Sequence, residues 1–243
     1  MNIEQHPFEP FLPKDARILF LGSFPPQPHR WSMPFYYPNW INDFWRIMGL
    51  IHFNDKDHFC NITEKRFNEA DIRKFCTQNG LAFYDTATQI RRLKDNASDA
   101  FLEVVTPTDI PALLQQIPNC TTLVTTGQKA TEVISSTFNC PIPPIGSHIE
   151  IKIGNRPINF WRMPSTSRAY PLPINKKADA YRQLLKWNNW GQNNWGQAPI
   201  VSFFHLDLGK LPVVFGGQEA NYDYAGYASG PIHGRSEIEM FQQ

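Results

Sequence analysis

The sequence has no apolar run near the roughly 18 residues that a membrane-spanning helix needs. Its first residues, Met1-Asn2-Ile3-Glu4-Gln5-His6, hold no basic segment leading into an apolar stretch, so no secretory signal is expected and the default compartment is the cytoplasm. Cysteine is scarce. Cys60, Cys76, Cys120 and Cys140 form no CxxC pair, which argues against a structural zinc or an iron–sulfur cluster. Reduced thiols packed as small hydrophobes are expected instead. His29, His52, His58 and His148 show no ligand spacing, so neither a metal nor an organic cofactor is expected. A strong excess of charge is also missing. Lys and Arg number 23 against 22 Asp and Glu, a net of +1. The balance is uneven, however. Residues 1–187 carry 21 basic and 17 acidic side chains, and residues 188–243 carry 2 and 5. The body is mildly basic, a faint hint of a polyanionic partner and well short of a nucleic-acid stripe.

The length suits one domain with an extension, and we place the boundary between residues 187 and 188. Residues 1–16 read as a polar surface lead-in. Arg17-Ile18-Leu19-Phe20-Leu21, ended by Gly22, reads as a buried strand. The next stretch holds Pro25, Pro26, Pro28, Pro34 and Pro38, which exclude a regular element. Long loops in compact domains are functional or disordered, and the aromatic content here argues for function. Asn42 reads as the N-cap of a helix over 43–48 that stops at Gly49. Further helices are expected over 64–78, 108–117, 127–135 and 175–187, the last with Ala178, Tyr181, Leu184 and Leu185 on one face. Strands are expected over 81–85, 121–126, 149–153 and 158–163. This alternation predicts an α/β fold, a three-layer αβα sandwich around a short, central, mostly parallel sheet. In such sheets ligands sit beyond the carboxyl ends of the strands, which directs attention to the loops after 17–22 and 158–163. The extension begins with a repeat, Asn188-Asn189-Trp190-Gly191-Gln192 and Asn193-Asn194-Trp195-Gly196-Gln197, too few copies for a solenoid. It is acidic and rich in aromatics and glycine, with possible strands at 201–204 and 211–215, and suits a protein partner if it has one.

Residues 19–45 resemble the first motif region of the uracil-DNA glycosylase superfamily. The pieces are Leu21-Gly22-Ser23-Phe24-Pro25, the pair Tyr36-Tyr37, and Asn42-Asp43-Phe44-Trp45. They are most similar to the hypoxanthine-DNA glycosylase and mismatch-specific branches. Met163-Pro164-Ser165-Thr166-Ser167 resembles the second motif, a Pro-Ser segment that pinches DNA. Residues 81–85 and 123–130 resemble the middle strands, so the resemblance spans about 17–187 and leaves out the extension. Two departures are visible. The classical enzymes carry a carboxylate in the first turn, where this chain has Ser23 and Phe24. They begin the second motif with His, where this chain has Met163. The branch resembled here uses the Asn before Phe-Trp, and Asn42 holds that place.

The resemblance implies a monomeric enzyme that flips a deaminated base (uracil, hypoxanthine or xanthine) out of duplex DNA and hydrolyses its N-glycosidic bond. Such a reaction builds positive charge on the sugar and negative charge on the leaving base. An amide at Asn42 can accept from a water and donate to the base or a phosphate, a fixed dipole of the kind that lowers barriers most. Backbone N–H groups of Gly22, Ser23, Phe24 and the neighbouring Pro25 turn would cradle the base, with Tyr37 as its stacking face. Ser165, Thr166, Ser167 and Arg168 would hold phosphates, which position without reading sequence. No Lys lies in either motif, so a Schiff base is not expected and the enzyme would be monofunctional. Plainer readings stand beside these: Asn42 as a helix cap, Tyr37, Phe44 and Trp45 as core, Ser165 and Ser167 as turn formers, Arg168 as a solvated side chain, Asp85 as a strand-end cap. A rival of another class is a non-catalytic nucleic-acid- or nucleotide-binding protein on the same scaffold.

Overall fold

The computed structural model describes residues 2–93 and 101–188, and the backbone of 212–215 and 218–221. In chain order the strands of the first unit are β1 (Ile3–Gln5), β2 (Ile18–Gly22), β3 (Cys60–Asn61), β4 (Arg66–Phe67), β5 (Leu81–Asp85), β6 (Ala87–Arg92), β7 (Leu102–Pro107), β8 (Thr122–Thr126), β9 (Ser147–Ile153) and β10 (Arg156–Met163). The helices are α1 (Phe44–Phe53), α2 (Glu69–Gln78), α3 (Ile110–Gln116), α4 (Gln128–Thr137) and α5 (Ile174–Trp187). In the second unit, β11 (Pro212–Phe215) pairs antiparallel with β12 (Gln218–Asn221). The remaining expectations for the extension lie outside the described residues.

The central sheet runs β5-β2-β8-β10-β9, with helices flanking it in an αβα sandwich. β5, β2, β8 and β10 are parallel, and β9 closes the edge antiparallel to β10. Strands covered on both faces need apolar residues at every position rather than at alternate ones. β2 and β5 meet that demand: Ile18 to Leu21 and Leu81 to Phe83 are buried. β9 alternates because it is an edge. Its two-residue turn into β10 has Gly154 at φ 60°, which suits the twist of a hairpin. Phe20 stacks on Phe83 and meets Phe44 edge-on, so the first helix is locked onto the sheet by rings. α1 in turn packs on α5, with Phe44 against Tyr181.

The structure departs from the sequence reading in four places. The lead-in over 1–16 is not simply surface: β1 joins β6 and β7 in a second, antiparallel sheet, and Phe8, Phe11 and Leu12 pack on the main core. The helix expected over 64–78 starts at Glu69, because Lys65 takes a left-handed φ of 53° and Arg66–Phe67 pair back on Cys60–Asn61. α1 runs through Gly49 to Phe53 and ends on Asn54 in the left-handed region. The proline-rich loop holds a single 3-10 turn, Pro28–Arg30, entered through its proline. No helix among the described residues is long and apolar enough to cross a membrane.

Candidate active site

The carboxyl ends of β2, β5, β8 and β10 open on one cleft of about 490 Å³. Gly22, Ser23, Phe24, Pro25, Tyr37 and Asn42 line it from the first loop, and Ser165, Thr166 and Ser167 from the loop after β10. Segments more than a hundred residues apart in sequence thus meet because both loops leave the same end of one parallel sheet, with only β8 between their strands. Arg168 is the exception. It lies outside the lining, 48% exposed, with its Nε donating to Asp43 Oδ1 at 3.2 Å.

The first loop is held stiffly. Trp31 Nε1 donates to Pro26 O, Ser32 Oγ to Pro38 O, and Trp45 Nε1 to Tyr36 O. Arg46 lies over the Trp40 ring and donates to the backbone oxygens of Trp40 and Asn42. The consequence shows at Tyr37, whose φ is 51°. A tyrosine in the left-handed region costs energy and persists only where its surroundings dictate it, a state found most often at functional positions. Its ring stacks on Phe44 at 4.0 Å, and its hydroxyl bonds Thr126 Oγ1 at 2.8 Å. The ring is half-buried and reaches the cleft.

Asn42 serves the helix as well as the cleft. Its Oδ1 accepts from Phe44 N–H at 2.9 Å, while the helix N-cap is Asp43. That bond fixes the amide plane and leaves the oxygen a second lone pair. Ser165 Oγ accepts from Ser167 N–H and Ser167 Oγ from Ala169 N–H, so both hydroxyls also shape their own turn. Phe24 does more packing than the sequence implied. It is buried with Ala87, Ile90 and Leu102 in a small core under the second sheet.

No family model and no curated protein sequence matches the chain. A solved structure does. It is the solution NMR structure of a protein from Methanosarcina acetivorans, provisionally named a uracil DNA glycosylase, with 19% identity and a TM-score of 0.51. The match covers 77% of this chain and 99% of that one. The chain shares that protein's fold.

Fold likeness leaves the individual side chains to be read from this structure, and one of them does more than end a strand. Asp85 lines the cleft. It stands opposite Gly22 in the β2–β5 register, so close that a Cβ on Gly22 would collide with Asp85 Oδ1. This, besides the turn, is why position 22 holds glycine. His6 Nε2 bonds the other oxygen, Asp85 Oδ2, at 2.9 Å, and both side chains are nearly sealed from solvent. His6 Nδ1 accepts from Phe8 N–H at 3.2 Å, which fixes the ring from the other side. The ring also packs among Phe24, Tyr36 and Tyr84. Burial, and then the Asp85 carboxylate, push the Tyr36 phenol far above its ordinary value. It stays neutral and donates to Glu9 O at 2.8 Å. A carboxylate from the neighbouring strand thus stands beside the first turn, which carries none of its own. The only sequence signal was an acidic residue ending a strand at the sheet's ligand end. Arg30 and Arg92 also line the cleft, Arg92 with its side chain buried against Glu4. Among the described residues, no group of three or more His, Cys, Asp or Glu is arranged to hold a metal ion.

Proposed function

We propose that the protein is a monofunctional DNA glycosylase that flips a deaminated base, uracil, hypoxanthine or xanthine, from duplex DNA and hydrolyses its N-glycosidic bond. The observation that carries this reading is the meeting of both motif loops on one cleft. Asn42 and Asp85 bring polar groups to that cleft, and Tyr37 brings an aromatic face. Its volume lies in the range of small-ligand sites, about 300–1,000 Å³. A base leaving as an anion needs donors near its carbonyl oxygens, and the Gly22–Phe24 turn brings backbone to that position. An N–H on the base edge needs an acceptor, and Asp85, held by His6, offers one. The sugar's developing positive charge is met by Asp85 and by the phosphates, while Asn42 orients the attacking water. No lysine lines the cleft among the described residues, and the buried amine of Lys177 is engaged by Asp43 and Ser167 O, in keeping with a reaction without a Schiff base.

The test is cleavage of duplexes carrying a single uracil, hypoxanthine or xanthine, followed by alkaline scission at the abasic product. Cleavage of at least one lesion, lost in Asn42→Ala, is expected. A folded protein that binds such duplexes and cleaves none would return the chain to the non-catalytic reading. That reading has one observation of its own, the commitment of Asn42 Oδ1 to the helix backbone.

A further inference from the structure

The two loops of the cleft are joined by more than adjacency. Asp43 N–H donates to Thr166 O at 2.9 Å, and Asn42 pairs with Ser167 as an isolated antiparallel bridge. Beneath them lies Lys177 of α5. Its Nζ donates to Asp43 Oδ2 at 3.0 Å and to Ser167 O at 2.8 Å. The Lys177 side chain is 1% exposed and that of Asp43 8%. Lysine is almost never buried this completely without a partner. Nor is such a pair readily explained as a source of stability, since apolar replacements of buried ion pairs are often neutral or better. α5 has an apolar face in Ala178, Tyr181, Leu184 and Leu185, and an apolar residue at 177 could have extended it. What the lysine adds is geometry. One ammonium grips the residue beside Asn42 and the carbonyl of Ser167 at once.

We infer that Lys177 is a positioning residue for the cleft: through Asp43 and Ser167 O it sets Asn42 and the Ser165–Ser167 loop in one fixed relation. The inference rests on the glycosylase reading and deepens it. The ammonium itself does not line the cleft, so it acts on the reaction through Asn42. A phosphate held by the Ser165–Ser167 loop then has a defined distance to the amide that orients water. Misplacement of a catalytic group by about 1 Å costs on the order of 100-fold in rate.

The experiment is a double-variant cycle on the duplex that the wild-type protein cleaves. Single-turnover rates are measured for the wild type, Lys177→Met, Asn42→Ala and the double variant. Affinity for a duplex bearing a tetrahydrofuran abasic analogue is measured beside them. Lys177→Met is expected to lower the wild-type rate about 10- to 100-fold. In the Asn42→Ala background it should change the rate less than about twofold, because its effect passes through Asn42. Abasic-duplex affinity should stay within about threefold, as the phosphate-binding groups remain. An equal fall in both backgrounds, or an unchanged rate, overturns the inference and leaves the glycosylase reading standing. If Lys177→Met does not fold, the pair variant Lys177→Met/Asp43→Asn removes both charges and strands neither. The same rate loss in that folded protein supports the inference, and a wild-type rate overturns it. Failure of the wild type to cleave any of the three lesions removes the glycosylase reading and the inference together.

Discussion

At the residue scale, Asn42 has two jobs that its substitutions separate. Its Oδ1 holds Phe44 N–H at the start of α1, and the residue lines the cleft, where the proposed reaction needs its amide. Loss of a side-chain cap costs about 1 kcal/mol, whereas loss of a preorganised polar group costs on the order of 100- to 1000-fold in rate. Asn42→Ala is therefore expected to melt slightly lower, to bind lesion duplex, and to cleave it hardly at all. Asn42→Asp keeps the capping oxygen and loses the amide donor, so its melting curve should match the wild type while its rate still falls. Single-turnover kinetics beside thermal melts read both, and near-normal cleavage by folded Asn42→Ala would remove the residue from the mechanism. Asp85 calls for an isosteric change. Asp85→Asn keeps an acceptor for His6 but removes the charge beside Gly22. We expect a rate loss of about 100-fold or more on the preferred lesion, with abasic-duplex affinity unchanged or tightened as one negative charge leaves the cleft. An unchanged rate would reduce Asp85 to a strand-end anchor. That was its meaning in sequence, and the reason is physical. The setting of Asp85 in the cleft comes from its register partner Gly22 and from His6, which lie 63 and 79 positions away, and no local pattern records either. That Asn42, Tyr37 and Ser165–Ser167 would line one cleft was legible because each sits in a short motif within a loop that follows a strand of the parallel sheet.

At the element scale, periodicity found what periodicity can find. β2, β5, β8, α4 and α5 emerged within two residues of their observed bounds because each is a run covered on a defined face. β1, β6 and β7 did not. Their pairing is long-range and their burial patterns lack strict alternation, as in Ala87–Arg92, where two intermediate residues separate the buried ones. Gly49 shows how a local rule fails. Glycine stops many helices, yet α1 passes through it, because a Cβ there would strike the backbone oxygen of Asp55. In an open helix Gly→Ala stabilises by about 1 kcal/mol. Here Gly49→Ala should instead destabilise by about 1–3 kcal/mol, the range for forced overpacking, seen as a lower denaturant midpoint at unchanged m-value. Three residues on, His52 makes the end of α1 sensitive to acid. Burial, and secondarily Arg182, lower its pKa from 6.5 to about 4. The fold therefore favours the neutral ring. Above pH 6.5 that preference is fully met. Between pH 6.5 and about 4 the unfolded chain takes up a proton that the folded chain refuses, and stability falls by up to a few kcal/mol. Melting temperatures of His52→Leu should fall less steeply than those of the wild type over that interval. Parallel curves would show that acid acts elsewhere.

For the whole molecule, the cleft is polar and aromatic more than it is cationic, and this sets how it should meet DNA. Residues 1–187 carry a net of +4. Of the arginines around the cleft, Arg92 is spent on Glu4, through two contacts at 3.0 Å, and on Pro25 O. Arg30 is exposed on the lining and Arg168 is half-exposed beside it, engaged with Asp43. The other candidate phosphate ligands are hydroxyls and backbone N–H groups of the Ser165–Ser167 loop, which bond phosphate without neutralising it. Counterion release scales with the phosphates neutralised, about 0.9 per contact in the slope of log affinity against log salt. Two to four such contacts give a slope of about −2 to −4, and a loss of about 10- to 150-fold in affinity between 50 and 200 mM salt. Dissociation constants for a tetrahydrofuran abasic duplex across that range measure it without interference from cleavage. Arg30→Ala should flatten the slope by about one, since one phosphate partner is lost, and should weaken binding alike on all sequences. A slope near −10 in the wild type would mean that DNA lies against a basic surface away from this cleft, and the placement of the lesion between the two motif loops would then be wrong.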